Sequence, residues 1–251
     1  MINQVSSNEH IPSVVVGIGS DVEPHREPAR FRQATGIEGP VLIYVGRIDQ
    51  NKGCAELFDY LQRYAQTAPE LTLVLIGKPV MDLPVHPNIR HLGFVTDQEK
   101  FDAIAAADAL VMPSYYESLS MVTLEAWALG RPVLANARCD VLCGQCVRSN
   151  AGLYYENYEE FAATLETLRL DATLRQQLGR NGERYFKTHY SWPVIESKYL
   201  DMLERLDRQD MEDVPHPPSL PGWIRRRQRN IPPGRQIVDQ LPTGPATGRS
   251  R

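Results

Sequence analysis

The sequence lacks the features that mark several common classes of protein. Only four of its 251 residues are cysteine, too few for the disulfide framework of a small secreted domain. Its formal net charge of −4 lacks the basic excess of a protein that coats nucleic acid, so we expect no nucleic-acid partner. No apolar run approaches the roughly 18 to 20 residues that are needed to cross a bilayer.

The start of the chain also lacks a targeting signal. Residues Met1 to His10 are polar, without the basic and apolar blocks of a secretory signal. Together with the absence of a spanning run, this favours a cytoplasmic location. Composition does not exclude contact with a membrane surface, so a peripheral location at the membrane stays open as an alternative.

What the chain does contain is an alternation of short apolar runs and amphipathic stretches between residues 12 and 206. Most of the runs are apolar throughout, which is typical of strands buried on both faces of a parallel sheet. The runs that predict strands are 13–16, 41–45, 71–76, 89–92, 109–112, 132–135 and 152–154.

The stretches between the runs predict helices. Thr96 followed by Glu99 has the spacing of a capping box, and Gly130 suits the end of a helix. Three stripes of apolar residues recur at helical spacing: Leu57, Phe58, Leu61 and Tyr64; Phe161, Leu165 and Leu168; Ile195, Tyr199, Leu203 and Leu206. Strand and helix therefore alternate, which predicts an α/β domain with a doubly wound, Rossmann-like parallel sheet.

The composition changes after about residue 206. Eight of the 19 prolines lie between Pro215 and Pro245, with three consecutive arginines at 225–227 among them. Such a segment buries too little apolar surface to offset its ordering entropy. We expect an N-terminal lead at 1–11, one folded domain at 12–206 and a disordered tail at 207–251. A docking arm for a partner or an anionic lipid surface is the alternative for the tail.

Two loops carry the candidate chemistry. The first, 46–53, follows the predicted strand 41–45 and holds Arg47 and Lys52 between glycines, so both cations can reach one diphosphate. The second, 113–126, follows the strand 109–112 and holds Glu117 and Glu125, which are far enough apart to contact different hydroxyl groups of one ligand. In a doubly wound sheet both loops lie where ligands bind. The alternative for the first loop is a solvated surface loop. The alternative for the second is that Glu117 assists helix capping and Glu125 is a charge on the helix surface.

Taken together, these motifs resemble glycosyltransferase family four, and the resemblance covers roughly residues 12–206. Arg47 with Lys52, and Glu117 with Glu125 after seven intervening residues, occur in the order that is typical of that family. The other segments that resemble it are 91–95, 130–133, 191–193 and, more weakly, 17–21. The resemblance implies a GT-B fold of two domains, of which this chain is the C-terminal one, and retaining transfer from a nucleotide sugar.

The resemblance also implies roles for particular residues. Arg47 and Lys52 bind the donor diphosphate and neutralise its growing charge, and Glu117 faces the transferred sugar. These three are the expected catalytic residues. Elsewhere on the donor, Glu125 is expected to bind the ribose and Val95 the base. The amides near Ser120 and Met121 are expected to contact the sugar or the phosphate. Gly19, in the segment that leads into the domain, is also expected to contact the donor.

The resemblance implies transfer without a metal or cofactor, and the sequence fits this because two cations already cover the diphosphate. No Asp-x-Asp pair occurs in residues 1–206. Cys139, Cys143 and Cys146 leave one alternative open, because their spacing is able to ligate an iron–sulfur cluster or, with a fourth ligand, zinc. The other interpretation is three small residues around a turn.

The acceptor side of such an enzyme has no counterpart in this chain, since donor-domain features begin near residue 12. We therefore expect a missing N-terminal acceptor-binding domain or partner chain. A second hypothesis is a standalone module that binds a nucleotide sugar, as sensor or regulator, without transferring it. A third is a related epimerase or phosphorylase, although no motif marks the lysine that a phosphorylase uses to hold pyridoxal phosphate.

Overall fold

The computed structural model describes residues 14–22 and 26–208, with a compact body at residues 15–201. The predicted lead at 1–11 and the tail from 209 onward lie outside these residues. The helices are α1 (Pro28–Thr35), α2 (Cys54–Tyr64), α3 (Asp97–Ala106), α4 (Met121–Ala128), α5 (Asp140–Ser149), α6 (Tyr158–Leu170), α7 (Ala172–His189) and α8 (Trp192–Arg208). The strands are β1 (Val41–Val45), β2 (Thr72–Ile76), β3 (Ile89–His91), β4 (Ala109–Met112), β5 (Val133–Asn136) and β6 (Gly152–Tyr155).

The six strands form one sheet in the order β3-β2-β1-β4-β5-β6, and every pairing is parallel. The chain winds outward from β1 to β3, returns to the centre at β4, and then winds outward on the other side to β6. The winding direction reverses between β1 and β4, which is the position where sheets of this kind bind ligands. The predicted doubly wound α/β fold is confirmed.

The sheet is covered on both faces over most of its width, which explains why most of its strands are largely apolar. Along β1, Val41 and Ile43 pack into one core cluster with Trp127, while Leu42 and Tyr44 pack into the cluster on the opposite face. Successive side chains of a strand point to opposite faces, so a strand with two buried faces favours apolar residues at every position.

Six of the seven predicted strands are confirmed with ends that agree to within one residue, and the first one is wrong. Ser13 lies outside the described residues, and 14–16 form no strand. Val15 is 90% exposed, and the carbonyl of Val16 accepts a hydrogen bond from Lys198 Nζ at 3.4 Å. Apolar character alone did not make a strand here, because no strand in the described part of the chain pairs with this run.

The helix predictions hold where the helix packs on the sheet. The stripes of α2 and α6 are buried, and both hydrogen bonds of the Thr96–Glu99 capping box are present. In α8, Ile195 is buried, but Tyr199 is 49% exposed and Leu203 is 54% exposed. The predicted helical spacing is correct for α8. The expectation that the whole stripe faces a core is wrong, because the rest of this helix face is not covered by other described residues.

Candidate functional site

The two candidate loops meet at the carboxyl edge of the sheet. One follows β1 and the other follows β4, and these strands are neighbours at the point where the winding reverses. Lys52 Nζ lies 2.7 Å from Glu117 Oε1, although 65 positions separate them in sequence. Both side chains are largely buried. The structure therefore brings together two of the three residues that the sequence predicted as catalytic.

Gly53 permits this meeting. Its φ of +73° lies in the left-handed region that glycine adopts without steric cost. A Cβ at this position would also overlap the carbonyl oxygen of Pro113, the residue that opens the second loop. The first loop thus lies directly against the backbone of the second, with no room for a side chain between them.

Asp49 organises the first loop, and sequence reasoning missed it. Its buried carboxylate accepts a hydrogen bond from the Lys52 amide at 2.9 Å and forms an ion pair with the Arg47 guanidinium. Burial raises the pKa of Asp49, but these hydrogen bonds outweigh it and the net pKa is lowered, so the carboxylate stays charged. The available signal was an Asp that precedes a short turn, the usual place of a capping residue.

Arg47 remains accessible to a ligand despite this ion pair. Its side chain is 60% exposed, while its backbone carbonyl is fixed by a hydrogen bond from the Tyr44 hydroxyl at 2.7 Å. A fixed backbone with an exposed guanidinium suits a residue that contacts a bound anion.

The second loop ends in a strained turn at Ser120. Ser120 has a φ of +65°, which is unusual for a residue other than glycine, and it caps α4 by accepting a hydrogen bond from the Thr123 amide at 3.4 Å. Gln145 donates to the carbonyl of Leu119 at 2.8 Å and so supports the turn. The first amides of a helix have no partner within it, so those at Met121 and its neighbours suit an anion or a hydroxyl oxygen.

Glu125 lies one turn further along α4 and is paired with Lys100. Its Oε1 atom is 3.0 Å from Lys100 Nζ, and Lys100 also contacts Asp97 at 3.0 Å. Burial raises the pKa of Glu125, and Lys100 offsets only part of that effect. Sequence reasoning missed Lys100, because a lysine within an amphipathic helix gives no signal of its partner.

A cleft of about 590 Å³ lies beside the first loop. It contains Arg47 and Val95, two of the predicted donor residues, together with Lys78 and Lys100, which the sequence did not single out. Phe94 also lines it and is 92% exposed. The cleft is lined by residues 45–47, 76–78, 94–97 and Lys100. Since Lys100 contacts Glu125, the cleft adjoins the middle of α4.

The structure does not bring Gly19 to the other predicted residues. A Cβ on Gly19 would overlap the indole of Trp192, and the next residue, Ser20, lines a separate depression with Leu129. Leu129 follows the end of α4, whereas Ser120 precedes its start. An eight-residue helix is about 12 Å long. The assignment of Gly19 to donor binding stays a prediction.

The three cysteines of the metal alternative lie on α5 or directly before it. Cys139 and Cys146 are buried in the core, and burial raises the pKa of Cys146 to about 12, which keeps its thiol protonated. Within residues 14–22 and 26–208, no group of three metal-ligating side chains is arranged to hold an ion. Nor does any helix of that part have the length and apolar character needed to span a membrane.

The fold and the site together define a class of protein. A doubly wound parallel sheet with paired basic and acidic loops at its switch point is suited to a ligand that carries phosphate and hydroxyl groups. The family described as "Glycosyl transferases group 1" matches residues 25–185, and the chain belongs to this family. The resemblance to glycosyltransferases seen in the sequence is thereby confirmed.

Curated relatives agree with this assignment. The chain is 30% identical over 185 residues to the lipopolysaccharide core biosynthesis glycosyltransferase LpsE of Rhizobium meliloti, an alignment that covers 69% of this chain and 52% of that protein. It is 27% identical over 204 residues to the mannosylfructose-phosphate synthase of Agrobacterium fabrum, with 69% and 42% covered. The chain spans about half the length of the curated relatives it matches.

Solved structures share the fold. Sucrose-phosphate synthase from Thermosynechococcus elongatus superposes with a TM-score of 0.62 at 22% identity, over 76% of this chain and 52% of that one. HepE of Anabaena, in complex with UDP and glucose, gives 0.61 at 20% identity, over 72% and 52%. The C-terminal domain of LpcC from Francisella tularensis gives 0.56 at 23% identity and is covered over 95% of its length, against 67% of this chain.

Proposed function

We propose that this chain is the donor-binding half of a retaining glycosyltransferase, which transfers a hexose from a nucleotide-diphosphate sugar to a glycan or a lipid glycoconjugate. The observation that carries the proposal is the pairing of Lys52 with Glu117 at the switch point of the sheet, 2.7 Å apart and beside the cleft that holds Arg47. An N-terminal domain or partner chain supplies the acceptor side.

The extent of the match supports the assignment to one half. The alignment with LpsE covers 52% of that protein, while the fold of this chain extends over 95% of an isolated C-terminal glycosyltransferase domain. An enzyme of two domains, the second of which corresponds to this chain, accounts for both the 52% and the 95% coverage. The acceptor cleft then forms only when the other domain is present.

The charges of the first loop support a diphosphate ligand and a transfer step that needs no metal. Lys52 and Arg47 lie on one short loop whose backbone Asp49 holds in place. As the glycosidic bond breaks, negative charge grows on the leaving diphosphate, so fixed cations stabilise the transition state more than the ground state. HepE of Anabaena has been solved in complex with UDP, which is consistent with a nucleotide donor here.

Glu117 links donor binding to recognition of the sugar. It pairs with Lys52, whose side chain is 31% exposed. A diphosphate competes for Lys52, and the carboxylate so released is able to accept hydrogen bonds from sugar hydroxyl groups. We assign the amides near Ser120 and Met121, at the start of α4, to the sugar hydroxyls or the phosphate, as the family resemblance implies.

The remaining donor contacts follow the cleft. Val95 lines it, and we assign it to the base through its backbone, as the family resemblance implies. Glu125 adjoins the cleft through Lys100. We assign Glu125 to the ribose hydroxyls, as the family resemblance implies. A location in the cytoplasm, in peripheral contact with a membrane when the acceptor is lipid-linked, fits this role.

Calorimetric titration of the purified chain with UDP, GDP and ADP, and then with their sugars, tests the proposal. We expect saturable binding of one nucleotide, which identifies the base. If no nucleotide binds, the donor site is not functional in this chain and a structural or regulatory role is favoured. If a nucleotide sugar binds but the complete enzyme, with its acceptor domain, transfers nothing, the chain is the binding module of the second hypothesis.

The buried position of Glu125 predicts a pH dependence. Because its pKa is raised, it takes up a proton at a higher pH than an ordinary glutamate, and a protonated carboxyl accepts hydrogen bonds poorly. Donor affinity should therefore fall as the pH is lowered from 7 towards that pKa. Glu125→Gln should lower affinity at pH 7 by about tenfold, the loss of one charge-assisted hydrogen bond.

The measurement is the nucleotide affinity of the wild type and of Glu125→Gln across the acidic range. The phosphates of the nucleotide titrate equally in both proteins, so the difference between the two profiles reports Glu125. Glu159→Gln, an exposed residue of the first turn of α6, is the matched control. Identical profiles for wild type and Glu125→Gln would exclude the ribose assignment.

A further inference from the structure

A second cleft, of about 400 Å³, lies at the opposite edge of the sheet. Asp108 and Pro132, which line it, directly precede β4 and β5, so the cleft is at the amino ends of these strands. The donor loops follow the carboxyl ends of their strands. The two clefts are therefore on opposite edges of the same sheet, and no residue of the first loop contributes to the second cleft.

Four guanidinium groups line this cleft. They belong to Arg26, Arg131, Arg175 and Arg180 and converge from three separate segments of the chain. The carboxylates that line it are those of Asp108 and Glu183, so two positive charges are in excess. Like charges gathered in one cleft repel one another, and a counter-ion among them relieves that repulsion.

The two carboxylates are already engaged. Asp108 forms an ion pair with Arg175 at 3.2 Å and accepts a hydrogen bond from the Val41 amide at 2.9 Å. Glu183 pairs with Lys187 at 2.7 Å. Within residues 14–22 and 26–208, no carboxylate forms an ion pair with the remaining three arginines of the cleft, which are Arg26, Arg131 and Arg180.

Arg131 shows the consequence most clearly. Its Nε atom is buried and has no hydrogen-bond acceptor in the described part of the chain. Burial lowers the pKa of Arg131. Repulsion from Arg26, Arg175 and Arg32 lowers this pKa further, whereas attraction to Asp108 raises it. A buried donor without an acceptor is costly, and proteins usually supply a partner for it.

We propose that this cleft is a binding site for a phosphate-bearing anion, held by Arg131 with Arg26 and Arg180. A guanidinium presents paired N–H groups that match two phosphate oxygens, and a phosphomonoester dianion balances the two excess charges. A volume of about 400 Å³ is within the range of small-molecule sites. The phosphate belongs either to a free phosphate compound or to the headgroup of a lipid. This site is independent of the donor site.

The first arm of the test uses inorganic phosphate, titrated calorimetrically into the full chain at constant ionic strength. We expect saturable binding that persists in Lys52→Ala and weakens by about tenfold or more in Arg131→Gln and in Arg180→Gln, because each removes a charge-assisted contact. Arg180 is exposed, so its replacement tests the site even if Arg131→Gln is poorly folded. Arg63→Gln, an equal change of charge on α2, should have no effect.

The second arm uses vesicles of phosphatidylcholine with and without phosphatidic acid, and measures co-sedimentation of the protein. Binding that needs phosphatidic acid and is lost in Arg180→Gln assigns the site to a lipid headgroup, whereas binding of inorganic phosphate alone assigns it to a free compound. Either result supports the site. If neither probe binds, or if Arg131→Gln, Arg180→Gln and Arg63→Gln all bind as the wild type does, the proposal is wrong.

Discussion

Replacement of Lys52 by alanine is expected to lower the transfer rate of the assembled enzyme by about a hundred- to a thousandfold, and to weaken binding of the nucleotide sharply. Lys52 is held through its amide by Asp49, so under the proposed function its charge lies next to the diphosphate from the moment of binding. A cation held in place stabilises a developing anion without reorganisation, and this is why its loss is so costly.

The removal of Lys52 has a second consequence, which a further variant isolates. Glu117 is then left without its partner, and its negative charge faces the space that the diphosphate must enter. Lys52→Ala combined with Glu117→Gln should therefore recover part of the nucleotide affinity lost in Lys52→Ala alone. A full double-mutant cycle gives the interaction energy between the two residues.

The matched control for Lys52→Ala is Lys187→Ala, which removes an equally charged residue on α7 that pairs with Glu183. Its nucleotide affinity should be that of the wild type. Arg47→Ala should also weaken binding, since this side chain is exposed within the donor cleft. Wild-type affinity in both Lys52→Ala and Arg47→Ala would contradict the proposed mechanism.

Replacement of Gly53 by alanine is expected to lower the free energy of unfolding by about 2 to 5 kcal/mol. Part of this cost, about 1 to 2 kcal/mol, arises because alanine is strained at a left-handed φ. The remainder, about 1 to 3 kcal/mol, arises because the new methyl group overlaps the Pro113 carbonyl and forces the two loops apart.

Gly36→Ala separates these two contributions. Gly36 has a φ of +67°, close to the +73° of Gly53, but a Cβ at Gly36 has no atom within 4 Å. Denaturant unfolding of both variants should show the smaller, purely conformational loss in Gly36→Ala, and only Gly53→Ala should also impair nucleotide binding. Equal losses of stability in the two variants would show that the contact with Pro113 has no energetic role.

The fold was predictable because its signals are local. A strand such as 109–112 is apolar at every position since both faces of the sheet are covered, and the structure gives the same bounds. The Thr96–Glu99 capping box is likewise contained in four consecutive residues. Arg47, Lys52 and Glu117 became candidates because each lies in a loop that follows a buried strand, and the family resemblance then implied their roles.

The errors and omissions concern partners that are distant in sequence. The run 13–16 is apolar, but only a neighbouring strand would have made it a strand, and the sequence does not show which runs have neighbours. The apolar stripe on α8 shows that the segment is helical, but it does not show whether another part of the chain covers that face. The approach of Lys100 to Glu125, and of Arg26 and Arg175 to Arg131, depends on how separate segments pack, and no local pattern carries that information. Asp49 is the exception, because its partners lie within three residues of it.

Under the proposed function, the pairing of Lys52 with Glu117 also affects which ligands the site binds. Each side chain cancels the charge of the other, so the pair itself carries little net charge. A neutral sugar gains too little to separate them, and a nucleoside monophosphate gains less than a diphosphate does. In the proposed reaction the leaving nucleoside diphosphate still satisfies Lys52, so we expect its departure, rather than the chemistry, to be the step that this arrangement slows.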